Sequence, residues 1–267
     1  MYMIAIMKDH KYFHNNNLKE DNPMKKFSKR IISICSICLF LAVELGATAF
    51  AAGGTGPYRR VSSNAGTKSQ PYTYMETTVT LPSKSNIKEN GKDTAYVYIG
   101  GSGNGTEIDA GLQHSPTYDN WAPIINCNSV YSHPSDTDRF KGGQTVKMVF
   151  YVSADNKVVL QVSGTTDKGQ YKTITTYCNT ATGWKANGIG NTMKRVTSIG
   201  QSPENLSSGS YILGVKWASS YIGTTSSKHQ WLANDTLSSG SICYPNKTKV
   251  QVNYVNAGEE TVSIDLR

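Results

Sequence analysis

The stretch that decides the fold runs from Thr94 to Cys127, TAYVYIGGSGNGTEIDAGLQHSPTYDNWAPIINC. It reads as strand, glycine loop, strand, turn and strand. At a period of two, Glu107, Asp109, Gly111 and Gln113 share one side of the middle strand, and Ile108, Ala110 and Leu112 share the other. A polar row backed by an apolar one is the pattern of a sheet with a single face in a core. Tyr96 and Tyr98 leave their strand opposite Ala95, Val97 and Ile99. If that apolar trio packs inward, both rings join the face of the polar row, with Tyr118 and Trp121 just downstream.

The same signal recurs on either side. Tyr72 to Leu81 (YTYMETTVTL) alternates and is rich in β-branched and aromatic residues. Gln144 to Ser153 and Lys157 to Gly164 form a hairpin across Ala154-Asp155-Asn156. Lys172 to Cys178, Thr192 to Gly200, Tyr211 to Ser219, Lys247 to Val255 and Glu260 to Leu266 read as further strands, whereas the Ser/Thr-rich stretch 224–241 reads as loop. No stretch after the N-terminal region carries a helical apolar period over three turns. The pattern predicts one all-β domain, an antiparallel sandwich or barrel, over residues 71–267, preceded by a flexible Gly/Ser/Thr lead-in at 52–70 with a short edge strand from Tyr58 to Ser62.

The N-terminal region has a different character. Met24 opens a basic MKKFSKR segment, Ile31 to Val43 is a short apolar run, and Ala49-Phe50-Ala51 supplies small residues. That is the order of a secretory signal, and the run falls short of the ~20 apolar residues of a membrane span. The expectation is a signal peptide at 24–51, cut after Ala51 or Ala52, and an extracellular protein. Residues 1–23 are polar and read either as an extension ahead of the true start at Met24 or as a disordered leader. Cys35 and Cys38 fall in the signal. Cys127, Cys178 and Cys243 remain, allowing one disulfide and one leftover thiol within a monomer, and their spacing does not suit a structural zinc.

Composition narrows the function classes. The chain has 27 Lys+Arg against 19 Asp+Glu, a net charge of +8. The basic residues are scattered rather than striped, which argues against nucleic acid and is compatible with adhesion to anionic wall polymers. The Gly100–Gly105 loop looks like a nucleotide loop, but a strand follows it where a dinucleotide site needs a helix. Ser102 or Ser115 with His133 and Asp136 composes a triad only on paper, because no G-x-S-x-G elbow is present. His114 alternates toward the apolar side of its strand. Asp136 and Asp138 could contact calcium, but the motif is too short to define a site. No cofactor and no metal are called for.

The chemistry that the residues do offer is carboxylate and ring chemistry. Glu107 and Asp109, two apart on a strand face, have Cβ atoms ~6–7 Å apart, within reach of glycoside-hydrolase geometry. Flat rings beside carboxylates and amides also suit sugars, whose C–H faces stack while their hydroxyls hydrogen-bond. Three readings follow. In the first, a concave groove lined by Tyr96, Tyr98, Glu107, Asp109, Gln113, Tyr118 and Trp121 binds a polysaccharide or cell-wall polymer. In the second, an extracellular glycan or peptide hydrolase uses Glu107 and Asp109, with Gln113 as oxyanion or water partner. In the third, the chain is a surface structural protein whose polar face has no ligand.

The stretch also resembles the YrpD-type secreted proteins of Gram-positive bacteria. The shared features are Thr94-Ala95-Tyr96 and Tyr98, the glycine loop, the row Glu107, Asp109, Gly111 and Gln113, and the turn with Tyr118, Trp121 and Pro123. This resemblance implies a concanavalin-like jelly-roll sandwich and names no activity. A more distant likeness is to the glutamic peptidases, also jelly rolls, where Gln113 falls at the position of their strand glutamine. Their partner glutamate precedes a tryptophan in a later strand. The nearest equivalent here is Gly214-Val215-Lys216-Trp217, and the lysine in the glutamate's place cannot act as a carboxylate acid or base.

Overall fold

The computed structural model describes residues 55–127, 130–132, 139–179 and 181–267. In chain order its strands are β1 (Tyr58–Ser63), β2 (Tyr74–Thr80), β3 (Ile87–Lys88), β4 (Thr94–Gly103), β5 (Thr106–Ser115), β6 (Asn120–Cys127), β7 (Val130–Ser132), β8 (Phe140–Lys141) and β9 (Thr145–Ala154). They continue as β10 (Lys157–Thr165), β11 (Tyr171–Cys178), β12 (Asn191–Gly200), β13 (Tyr211–Gly223), β14 (Lys228–Gln230), β15 (Thr236–Tyr244), β16 (Val250–Asn256) and β17 (Glu259–Asp265). They make two antiparallel sheets, a single-domain jelly-roll sandwich. The eight-stranded sheet has the order β15-β1-β12-β4-β5-β6-β7 with β8 on β6; the nine-stranded sheet has the order β11-β10-β9-β2-β13-β17-β16 with β3 and β14 on β13.

The core lies between the sheets and follows the period of two. Val97, Ile99, Ile108, Ala110 and Leu112 point inward from the first sheet and meet Met75, Val79, Met148, Phe150 and Leu160 from the second. Apart from the small Ala110, each such side chain contributes ~1.5–3 kcal/mol on burial. All four tryptophans are fully buried, and Trp217 on β13 donates to Thr197 Oγ1 on β12 at 2.9 Å, tying one sheet to the other.

Two expectations change. The lead-in at 52–70 contains β1, an interior strand paired with β12 on one side and β15 on the other. Its sequence YRRVSS alternates like any half-buried strand, but two adjacent arginines mask the alternation. The stretch 224–241 contains β14 and most of β15; its serines and threonines serve an edge strand rather than a loop.

The inner face also buries charge. Arg59 of β1 and Arg195 of β12 both face Glu260 of β17 across the sandwich. Arg59 Nη2 lies 2.7 Å from Oε2 and its Nε lies 3.1 Å from each carboxylate oxygen. Arg195 Nη2 is 3.3 Å from Oε1, and its Nη1 donates to Ser220 Oγ at 3.2 Å. Desolvation pulls the Arg195 guanidinium below its ordinary pKa, and Glu260 only partly offsets it. Removing the shared anion strands two buried cations. Glu260→Ala is therefore expected to lower unfolding stability by about 3–5 kcal/mol in urea titration; a loss under about 1 kcal/mol would contradict this placement.

Candidate functional site

The outer face of the eight-stranded sheet carries the polar row. Registers place Gln113 opposite Tyr96, Gly111 opposite Tyr98, Asp109 opposite Gly100 and Glu107 opposite Ser102. One strand further, Lys194 of β12 stands opposite Gly100. Glycine at that middle position leaves no side chain between Lys194 and Asp109, so the ammonium crosses β4 over bare backbone. Its Nζ lies 2.6 Å from Asp109 Oδ1, contacts Glu107 Oε1, and sits 5.6 Å from the centre of the Tyr98 ring.

The glycines that allow this are strand residues rather than a loop. Gly100 and Gly101 have φ of +136° and +155°, and a Cβ would fall 2.1 Å from Ile108 O at the first and 1.8 Å from Thr192 O at the second. Only glycine holds such a backbone without strain. The hairpin itself turns at Asn104 and Gly105, both at positive φ.

Exposure and electrostatics divide the cluster. The Lys194 side chain is 3% exposed and that of Asp109 8%, while Glu107 keeps 31%. Desolvation, aided by the like charge of Glu107, pushes the Asp109 carboxyl above its ordinary value even though Lys194 pulls it down. Burial pulls the Lys194 ammonium down, but its two carboxylates outweigh that and hold it above the usual lysine value. The inner carboxyl thus favours a proton more than a free aspartate does, beside a firmly charged ammonium.

The other sequence candidates are placed as follows. Tyr96 and Tyr98 are on the same face, buried with Tyr58, Ile124 and Val196 in a second apolar cluster. Trp121 is not there. Its register partner is His114, so it points inward, fully buried in the main core with its ring 5.0 Å from the imidazole. The turn after β5 sets the parity of β6, and that parity is not visible in the sequence. Tyr118 sits in this turn, 69% exposed and off the sheet. Gln113 is on the polar face but four residues from Asp109, ~13 Å at the rise of a strand, so it cannot share a reacting atom with the carboxylates. Lys216 lies on β13 of the other sheet, 53% exposed and 3.5 Å from Glu259, and is not brought to Gln113. His114 binds Glu89 through Nδ1 at 2.8 Å on the inner side. His133, Asp136 and Asp138 lie outside the described residues. Cys178 is disulfide-bonded and Cys243 is free. Cys243 lines a cleft of about 810 Å³ between β15 and β16, where Arg59 Nη1 is 3.9 Å from its sulfur.

Sequence reasoning missed Lys194. The available signal was the pair Lys194-Arg195 in TMKRVTSIG, an otherwise apolar and β-branched strand. Neighbouring residues on a strand point to opposite faces, so an interior strand with two cations requires an anion on each side of its sheet.

Residues 63–202 match the family model described as a domain of unknown function, YrpD. The chain belongs to the YrpD family. It is 32% identical over 105 residues to the uncharacterized protein YrpD of Bacillus subtilis (strain 168); the match covers 36% of this chain and 43%, less than half, of that protein. Among solved structures, scytalido-glutamic peptidase with a transition state analog inhibitor superposes with a TM-score of 0.52 at 9% identity, covering 78% of this chain and 98% of that one. SCP-B, a member of the Eqolisin family of peptidases in complex with the tripeptide Ala-Ile-His, gives 0.53 at 8% identity over the same shares. At such identities the likeness is one of fold.

Two outcomes check this geometry. Gly100→Ala should destabilise the YrpD domain by more than about 1 kcal/mol, since alanine must adopt a forbidden φ and displace β5; a neutral effect in thermal unfolding would contradict it. Asp109 tests the charge balance. Its folded-state pKa lies above the ordinary 3.8, so the folded chain holds a proton that the unfolded chain releases. That contribution is present at low pH and is lost as pH rises from 3.8 through the raised value. Stability of the native protein relative to Asp109→Asn should therefore fall as pH rises above 3.8; a rise would show a depressed carboxyl instead.

Proposed function

We propose that this YrpD-family chain is an exported protein that holds a polysaccharide or cell-wall polymer on the outer face of its eight-stranded sheet without cleaving it. The layout of the polar row carries this reading. Its two half-buried members, Glu107 and Gln113, stand six residues apart on β5, ~20 Å along the strand. That separation suits an extended chain with repeated hydroxyls better than a small molecule. The carboxylates that hydrolysis would need are committed elsewhere. Glu107 and Asp109 converge on the single Lys194 ammonium, whereas a hydrolytic pair stands on either side of the scissile bond with space for substrate and water. Glu107, fixed by that contact and still partly exposed, is placed to accept sugar hydroxyls.

The raised Asp109 carboxyl favours a second reading, in which it serves as the acid of a weak glycan or peptide hydrolase. One set of measurements separates them. The mature protein and Glu107→Gln are run over insoluble glycans and isolated cell walls, and the same matrices are assayed for released fragments. Binding predicts retention of the native protein, weakened several-fold in Glu107→Gln, with no release. Unretarded passage of the native protein through every matrix would leave a surface structural role. Fragment release abolished by Asp109→Asn would establish the hydrolase. Export predicts protein in the culture medium whose N-terminus is Ala52 or Gly53.

A further inference from the structure

The nine-stranded sheet has an outer face that the reading above does not use. Its registers align Tyr177 of β11 with Val159 of β10, Val159 with Tyr151 of β9, and Tyr151 with Tyr74 of β2. Three tyrosines therefore fall in one row running across the strands. Strands lie ~4.7–4.9 Å apart, so Tyr177 and Tyr151, two strands apart, are about 10 Å from one another, and Tyr74 is one strand further. Tyr177 is 62% exposed, and Tyr151 and Tyr74 are half-buried. The two neighbouring rows supply Gln161, Ser163, Thr173 and Lys147, with Ser163 and Thr173 hydroxyls paired at 2.8 Å. A trough of about 440 Å³ runs over Tyr74, Tyr151, Gln161, Ser163, Thr173 and Lys147.

The lining of the trough is one-sided in charge. The residues lining the trough include Lys147 and no carboxylate. The adjacent carboxylate, Glu76, is shared by Lys147 at 2.8 Å and Lys228 at 2.6 Å and also accepts from the Tyr74 hydroxyl at 2.6 Å. Burial pushes the Glu76 carboxyl up, but these hydrogen bonds outweigh it and hold it at about 2. Among the described residues, two ammonium groups thus share one anion, leaving one positive charge uncompensated. The Lys228 ammonium also lies 5.1 Å from the centre of the Tyr74 ring.

We propose that this face is a separate binding platform for an extended acidic polysaccharide, with Tyr151 and Tyr177 stacking on sugar rings and Lys147 pairing with a sugar carboxylate. The rings offer flat apolar area at intervals across the sheet, as a chain of pyranose faces requires. Gln161 and the Ser163–Thr173 pair offer donors and acceptors to ring hydroxyls. The ligand's carboxylate supplies the second anion that Lys147 and Lys228 lack.

The test uses the mature chain, with oligogalacturonate and a neutral β-linked glucan oligosaccharide of equal length as probes, followed by calorimetry. The native protein should bind the polyuronate and bind the neutral chain more weakly. Tyr177→Ala, at an exposed position that the fold tolerates, should weaken polyuronate binding several-fold, up to about tenfold. Lys147→Met should erase the preference for the charged chain while the protein stays folded. No binding of the polyuronate, equal binding of both oligosaccharides, or an unchanged affinity in Tyr177→Ala would overturn the proposal. So would loss of polyuronate binding in Glu107→Gln, which would place the polymer on the eight-stranded sheet and support the reading of that face instead.

Discussion

Two neighbouring cations in the middle of a sheet govern much of this molecule. Lys194 and Arg195 are consecutive on β12, so they leave it on opposite faces, and both are buried. A buried charge without a partner costs several kcal/mol, so each face of the sheet must supply an anion. Outward, Asp109 and Glu107 meet Lys194 across a glycine; inward, Glu260 meets Arg195 and Arg59 across the sandwich. A slip of β12 by one residue would exchange the ammonium and the guanidinium between faces, so that neither Asp109 and Glu107 nor Glu260 would keep the cation whose shape fits its present geometry. The charges therefore specify register in a sheet whose apolar alternation alone would define it less sharply.

The same constraint shapes the functional reading. A polar row on the outer side of a jelly-roll sheet, largely buried apart from Glu107 and Gln113, invites comparison with the glutamic peptidases, whose architecture this chain shares at under a tenth identity. Here the row is organised around an ammonium ion. Carboxylates that clamp one cation gain fixed orientation and lose the freedom to flank a substrate bond. Recognition of hydroxyls asks for the first property and catalysis for the second. The outer face of the opposite sheet follows another logic, with rings and hydroxyls in register and charge held near the surface, so the sandwich presents two chemically distinct sides.

Much of this was legible in the residues. The alternation from Thr94 to Cys127 sets β4, β5 and β6 and puts Glu107, Asp109 and Gln113 on one face, because side-chain direction along a single strand is fixed by local geometry. Relations between strands were less accessible. Trp121 lies inward because a turn reset the parity of β6, and Gln113 stands apart from the carboxylates because shared direction is not proximity. The partner Lys194 comes from a strand some eighty-five residues later, and its local signal, two adjacent cations in an otherwise apolar and β-branched strand, does not say which carboxylates it meets. Gly100 looked like part of a turn because glycine runs usually are; its task is to stay bare beneath a lysine, a requirement that exists only once β12 is alongside. Tyr74, Tyr151 and Tyr177 are spread over a hundred residues, and only pairing registers assemble them into a row.

The pairing of Lys194 with Asp109 is most directly tested by a double-mutant cycle on unfolding free energy, using Lys194→Met, Asp109→Asn and the double variant at neutral pH. If the ammonium is held by that carboxyl, the two changes are strongly non-additive, with a coupling energy of about 1.5–3 kcal/mol. Additive effects, within about 0.5 kcal/mol, would mean the two groups do not depend on one another, and the account of this face would fail.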